Sequence, residues 1–208
     1  MKRILVATLN KGKIREIKDI LKDTGIKILT PDDINNPVMV EEDGKTFLEN
    51  AVKKATAWMK ATGIDSLADD SGLEVISLGG RPGVRSARFA GDNATDSDNV
   101  RLLLKSMEGI RDRRARFVCE VALALRDGRI ITARGEYEGI ILKSPVGENG
   151  FGYDPVFFDP STGKTFAQLS GKEKNALSHR RRALTSLREK LVEQGIIKTG
   201  MGDAEAIP

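Results

Sequence analysis

Two long β-prone runs joined by two turn residues limit the fold of this chain more than any other feature. Residues 116–125 and 129–142 flank Asp127-Gly128. A two-residue Asp-Gly connection suits the right-handed twist of an antiparallel pair, so the segment predicts a hairpin. An isolated hairpin is marginal in water and needs more strands or a helix against it. Both are legible nearby. Residues 3–8 form a short apolar run, as a buried strand does, and residues 26–29 form another before Pro31 and a polar loop. Between them Ile14, Ile17, Ile20 and Leu21 fall at helical spacing, stopped by Gly25. Thr46 and Glu49 have capping-box spacing. The helix they begin carries Phe47, Leu48, Ala51, Val52, Ala55, Trp58 and Met59 on one face and ends at Gly63. Residues 66–68 lead apolar into Asp69-Asp70-Ser71-Gly72, and residues 73–78 resume alternation. Val100, Leu103, Leu104 and Met107 mark another helix. Leu177, Leu184, Leu187 and Leu191 mark a last one, closed by Gly195. Strands and helices mixed in this way predict an α/β fold.

A chain of 208 residues is nearer one domain than two. We read residues 1–198 as that domain and residues 199–208, small and polar, as a disordered tail. With 39% apolar and 31% charged residues it is neither a membrane protein nor a disordered one. The net charge of +4 is too small to announce nucleic acid or membrane as a partner. One cysteine, Cys119, excludes an intrachain disulfide and a cysteine zinc site, and inside its apolar run it reads as a small buried hydrophobe. One histidine, His179, excludes a multi-histidine metal centre in one chain. The N-terminus has no secretory apolar region and no run is long enough to span a bilayer, so the expected location is the cytoplasm.

Three polar clusters interrupt the apolar pattern. Thr8 to Lys13 lies between a strand and a helix, where unpaired N–H groups attract anions and Lys13 adds a point charge. It is too short for a P-loop, and Asn10 reads equally as an N-cap. The second cluster is acidic: Glu41-Glu42-Asp43 in a loop, and Asp69-Asp70 at a strand end. Adjacent carboxylates there need a cation, and magnesium held by one or two of them plus phosphate oxygens would serve. A turn made with Ser71-Gly72 and a solvated charge run is the plainer reading. The third is Phe151-Gly152-Tyr153-Asp154, with Lys174 and Ser178-His179-Arg180 downstream. A ring among glycines suits stacking on a nucleobase, and the basic residues suit a carbonyl on a base edge. A hairpin corner and a basic helix start account for the same residues. Together the three clusters supply a phosphate anchor, metal carboxylates and a base clamp.

With these residues in hand the chain resembles the inosine triphosphate pyrophosphatases. The blocks that carry the likeness are A-T-L-N-K-G-K at Ala7 to Lys13, E-D-G-K-T-F-L-E-N-A at Glu42 to Ala51 and A-D-D-S-G-L at Ala68 to Leu73. P-G-V-R-S-A-R-F at Pro82 to Phe89, G-F-G-Y-D-P at Gly150 to Pro155 and E-K-N-A-L-S-H-R at Glu173 to Arg180 complete them, in the family's order. The resemblance implies an elongated mixed sheet with flanking helices, in two lobes around a central substrate cleft, usually as a homodimer. It implies magnesium-dependent hydrolysis of non-canonical purine nucleoside triphosphates (ITP, dITP, XTP) to the monophosphate and pyrophosphate. It carries Thr8, Asn10, Lys11, Gly12 and Lys13 over as triphosphate contacts, Glu42 and Asp70 as metal ligands, and Asp70 also as the proton acceptor. Asp69 becomes its acidic neighbour and Ser71 a substrate contact. Phe151, Gly152, Tyr153 and Asp154 become the nucleoside-binding segment. Lys174, His179 and Arg180 become the base and phosphate clamp, and Arg88 lines the cleft. Two alternatives stand beside it: a pyrophosphatase for pyrimidine or modified-base triphosphates, and a nucleic-acid module using Arg113, Arg114, Arg116 and the basic run after Ser178.

Overall fold

The computed structural model describes residues 3–22, 24–34 and 38–197. The expected tail, residues 199–208, lies outside them. The strands are β1 (Arg3–Val6), β2 (Lys27–Leu29), β3 (Ser66–Val75), β4 (Arg114–Ala124), β5 (Ile130–Ile141), β6 (Phe157–Asp159) and β7 (Lys164–Thr165). The helices are α1 (Lys11–Leu21), α2 (Phe47–Thr62), α3 (Asp96–Ser106), α4 (Gly171–Leu177) and α5 (His179–Glu193). The strands form one mixed sheet in the order β2-β1-β3-β4-β5-β6-β7. β1 runs parallel to β2 and to β3, whereas β6 pairs antiparallel with β5 and with β7. The predicted hairpin forms: Leu125 N–H donates to Arg129 C=O and Ile141 N–H to Arg113 C=O, both at 2.9 Å and both in the same antiparallel register.

The chain divides into two compact units. The first holds the described residues up to Asp70, Glu120–Gly135 and those from Arg180 onward; the second holds Ser71–Cys119 and Glu136–His179. The core of the first is built from small residues, Ala7, Ala51, Ala55, Ala68, Ala122 and Ala124, around Leu5 and Trp58. Alanines let α2 approach the strands closely, and one indole fills the remaining volume. The second core is aromatic. The Phe117 ring lies 4.4 Å from that of Phe157 and 5.8 Å from that of Phe166, between centroids. Burying side chains of this size is worth about 1.5–3 kcal/mol each. Cys119 is buried in a strand, as its apolar run predicted.

Three local expectations change. Asp69 and Asp70 do not end a strand. They lie inside β3, and the turn-like D-D-S-G composition is overridden by partners described below. The last helix is two, because Ser178 adopts an extended conformation between α4 and α5. At α2, the Thr46 hydroxyl accepts from Glu49 N–H at 3.1 Å, but the Glu49 carboxylate returns to Lys45 N–H at 2.7 Å, one residue short of a reciprocal box. Among the described residues no helix is long and apolar enough to cross a membrane.

Candidate active site

The first unit carries its polar residues on the two faces of β3. Successive strand residues point to opposite sides of a sheet, so Asp69 and Asp70 diverge. The cations in direct contact with them differ. Asp69, fully buried, lies 3.2 Å from Lys13 Nζ. It also accepts from Arg180 Nη2 at 3.0 Å and Arg180 Nε at 3.2 Å, a geometry available only to a guanidinium. Arg180, itself buried, also bonds Glu16 through Nη1. Burial alone would raise the Asp69 pKa, but Lys13, Arg180 and Lys54 outweigh it and hold the carboxyl far below its ordinary value.

Asp70 faces α2. Its Oδ2 accepts from Asn50 Nδ2 at 3.0 Å, and Lys54 Nζ stands 3.5 Å from Oδ1. The same Nζ is 3.0 Å from Glu42 Oε2, so one buried ammonium bridges two carboxylates. Burial pushes the Asp70 pKa up and Glu42 adds to the rise, against Lys54 and Lys13. Glu42 is also desolvated, yet Lys54 moves it downward overall. Burial would lower Lys54, but Asp70, Glu42 and Asp69 raise it. Neighbouring strand residues are thus driven in opposite directions, Asp69 below its ordinary pKa and Asp70 above it.

Between β1 and α1, Asn10 is the N-cap; its Oδ1 accepts from Lys13 N–H at 3.0 Å. Asn10 N–H in turn donates to Thr8 Oγ1 at 3.3 Å. The N–H groups of Lys11 and Gly12, at the first two helical positions, have no acceptor within the helix. Thr8 and Gly12 are half-buried, and Asn10 and Lys11 exposed. Anion-binding geometry therefore coincides with the lysine that Asp69 holds.

The second unit gathers the segment 151–154. Lys174, buried, donates to Asp154 Oδ2 at 2.6 Å and stands 4.6 Å from the centroid of the Phe151 ring. Asp154 Oδ2 also accepts from Phe151 N–H at 2.9 Å. Gly150 has φ +80°, and a Cβ there would sit 2.0 Å from Asp154 Oδ2, so only glycine fits this turn. Gly152 N–H donates to Asp96 Oδ2 at 2.7 Å. Tyr153 is buried and its hydroxyl donates to Ser86 C=O at 2.8 Å, so it anchors the segment. Burial, with the Asp96 charge, pushes that phenol far above its ordinary pKa. The ring of His179 stacks on Phe117 at 4.8 Å. Ser71 follows Asp70 in β3 and is half-buried, as is Arg88.

The sequence profile of the Ham1 family matches residues 4–190. This chain belongs to the Ham1 family. It is 50% identical over 198 residues to a dITP/XTP pyrophosphatase of Geobacter sulfurreducens, covering 94% of this chain and all of that one. It is 49% identical over 189 residues to a dITP/XTP pyrophosphatase of Thermus thermophilus, covering 90% of each. Among solved structures, a Ham1 protein of Staphylococcus aureus superposes with a TM-score of 0.83 at 42% identity, over 93% of this chain and all of that one.

In this Ham1-family chain the predicted residues fall into two sets. Thr8, Asn10, Lys11, Gly12, Lys13, Glu42, Asp69, Asp70 and Arg180 lie in the first unit. Ser71, Phe151, Gly152, Tyr153, Asp154, Lys174 and His179 lie in the second. Arg180, expected in the base and phosphate clamp, also has partners on α1 and β3. Its guanidinium engages Glu16 and Asp69, because a buried arginine needs carboxylates around it. Sequence reading missed Glu16, Asn50 and Lys54. A signal for the last two was present. Asn50 and Lys54 interrupt the buried stripe Phe47, Ala51, Ala55 and Trp58 one helical turn apart. Polar residues on an apolar stripe require partners.

Among the described residues no group of three or more His, Cys, Asp or Glu side chains gathers around a point. Glu42 and Asp70, brought together by Lys54, offer oxygen donors only. Two carboxylates completed by water and phosphate oxygens suit a hard cation of the magnesium type, and do not suit zinc or copper.

Proposed function

We infer that this protein hydrolyses non-canonical purine nucleoside triphosphates, ITP, dITP and XTP, to the monophosphate and pyrophosphate. The observation that carries the reading is Asp70, buried inside β3 between Lys54 and Glu42, in a chain whose relatives bear the name dITP/XTP pyrophosphatase.

Each set of residues takes a part. The N–H groups of Lys11 and Gly12, with Thr8, Asn10 and Lys13, grip the triphosphate, and Lys13 stabilises charge on the pyrophosphate leaving group. Asp70 orients a water and accepts its proton as the water attacks the α-phosphorus; its raised pKa suits a base that must take a proton. Glu42 and Asp70 would hold Mg2+, which when bound neutralises triphosphate charge and polarises the α-phosphoryl group. Lys54 keeps both carboxylates in place before substrate arrives. Phe151 stacks on the base, Lys174 fixes the ring and Asp154, and Gly152 and Ser71 line the nucleoside contact. His179 and Arg180 offer donors to the purine 6-oxo group, and Arg180 also pairs with Asp69, the carboxylate that holds Lys13. An adenine 6-amino group would present donors to a donor and leave it unpaired, which disfavours ATP.

For the alternative of a nucleic-acid module, three of its arginines have partners within the protein. Arg113 donates to three backbone carbonyls, Arg114 pairs with Asp112, and Arg116 pairs with Glu74 and Glu136. A cytoplasmic homodimer completes the reading. The test is the product formed from ITP and Mg2+: pyrophosphate is expected, and orthophosphate in its place would refute the assignment.

A further inference from the structure

The geometry points to Asn50 as a positioning residue for this reaction, holding Asp70 with one end of its amide and the Glu42 loop with the other. The inference rests on the functional reading above and adds a residue to it.

Asn50 is 1% exposed, on the face of α2 toward β3. Its Nδ2 donates to Asp70 Oδ2 at 3.0 Å, and its Oδ1 accepts from Gly44 N–H at 2.8 Å. The two bonds fix which end of the amide is which, because Gly44 N–H can only donate and a carboxylate can only accept. Gly44 must be glycine for this contact: a Cβ there would stand 2.6 Å from Asn50 Oδ1 and 3.0 Å from Glu49 Cβ.

The contact belongs to a larger seam. Four consecutive loop residues pair with α2: Glu42 with Lys54 at 3.0 Å, Asp43 with Lys53 at 2.5 Å, Gly44 N–H with Asn50, and Lys45 N–H with Glu49 at 2.7 Å. The Lys53 pair is exposed on both sides and contributes little. Lys54 and Asn50, one turn apart, each touch both the loop and Asp70. Lys54 holds them as a cation, by charge and by hydrogen bonds to both carboxylates. Asn50 is neutral and directional, so it sets where the two carboxylates stand without adding to or cancelling their charge. Aspartate in its place would keep the acceptor for Gly44 but set an oxygen against Asp70. Alanine would remove both bonds.

The experiment compares Asn50→Ala and Asn50→Asp with the wild-type protein. Three quantities are read per folded molecule: kcat for ITP, KM for ITP, and binding of Mn2+ to the nucleotide-free protein by electron paramagnetic resonance. Loss of an outer support of a metal site costs about 10–100-fold in affinity or activity. Asn50→Ala is expected to lower kcat by about that factor and to weaken Mn2+ about tenfold, with KM little changed. Asn50→Asp is expected to lower kcat similarly while Mn2+ binds at least as well as to wild type. If the alanine variant does not fold, the aspartate variant decides alone. Wild-type kcat in Asn50→Asp overturns the proposal, as does activity per folded molecule unchanged in Asn50→Ala. If wild type releases no pyrophosphate from ITP, the functional reading fails instead, and the Mn2+ comparison still decides whether Asn50 holds the loop.

Discussion

Asp69 and Asp70 are adjacent, buried and chemically identical, and differ in what faces them. Burial pushes Asp70 above its ordinary pKa, so folding disfavours its charged form, and its contribution to stability falls as pH rises through that raised value. Asp70→Asn is therefore expected to abolish turnover and leave Tm equal or higher, by calorimetry at pH 7; a large drop in Tm would contradict this. The sign reverses for Asp69. Its depressed pKa contributes stability that is full above the unfolded value and lost only in strong acid. Asp69→Asn removes the carboxylate that Lys13 and Arg180 share, leaving Glu16 on Arg180, and is expected to cost about 3–5 kcal/mol in denaturant unfolding. The same contrast sets the pH profile of the enzyme. On acidification kcat/KM should fall at a pH above the ordinary aspartate value, as Asp70 takes its proton while Asp69 stays ionised. None of this direction was legible in the sequence, where D-D-S-G reads as a turn. The compensating charges come from α1, α2 and α5, between 15 and 111 positions away.

At the scale of elements, α2 acts as the backing of the Glu42 loop. Replacing the exposed Lys53 by alanine should change stability by less than about 1 kcal/mol, whereas Lys54→Met should remove most turnover although it lies on the same helix. Parallel thermal melts and ITP assays separate the two. The long elements were readable because their signals are local: Asp127-Gly128 between β-branched runs, Thr46 before an apolar stripe, Gly63 after it. Others were not. The stripe Leu177, Leu184, Leu187, Leu191 keeps helical spacing straight across Ser178, so periodicity alone joins α4 to α5. Strands β6 and β7 are three and two residues long and too short to show a period. Phe151 and Lys174 were readable as residues, but their mutual contact was not, since it joins a turn to a helix about twenty residues further on.

At the scale of the molecule, the unit boundary passes between Asp70 and Ser71 in β3 and between His179 and Arg180 in α5. Each unit has its own core and its own set of predicted residues, so damage to one set should leave the other's contribution measurable. Phe151→Ala is expected to raise KM for ITP by about tenfold or more, the worth of one stacking contact, with kcat at saturation less affected. A lost kcat at unchanged KM would assign Phe151 to the chemistry instead. A panel of ITP, dITP, XTP, ATP, GTP, UTP and dTTP, scored by released pyrophosphate, tests the purine reading; equal turnover of the pyrimidines would displace it.

The alternation of Asp69 and Asp70 along β3 has a cost for any rearrangement of that strand. β3 pairs with β1 through Leu5 opposite Ser66 and Val6 opposite Leu67. A slip of one step would bring either Asp70 to the guanidinium with Ser71 facing Asn50, or Asp69 to Asn50 with Ala68 facing the guanidinium. Either slip would leave one of the two carboxylate positions without its carboxylate. Insertions or deletions of a single residue just before Ser66 should therefore be more harmful to turnover than to folding, and alignment between two neighbouring strands becomes a determinant of catalysis in its own right.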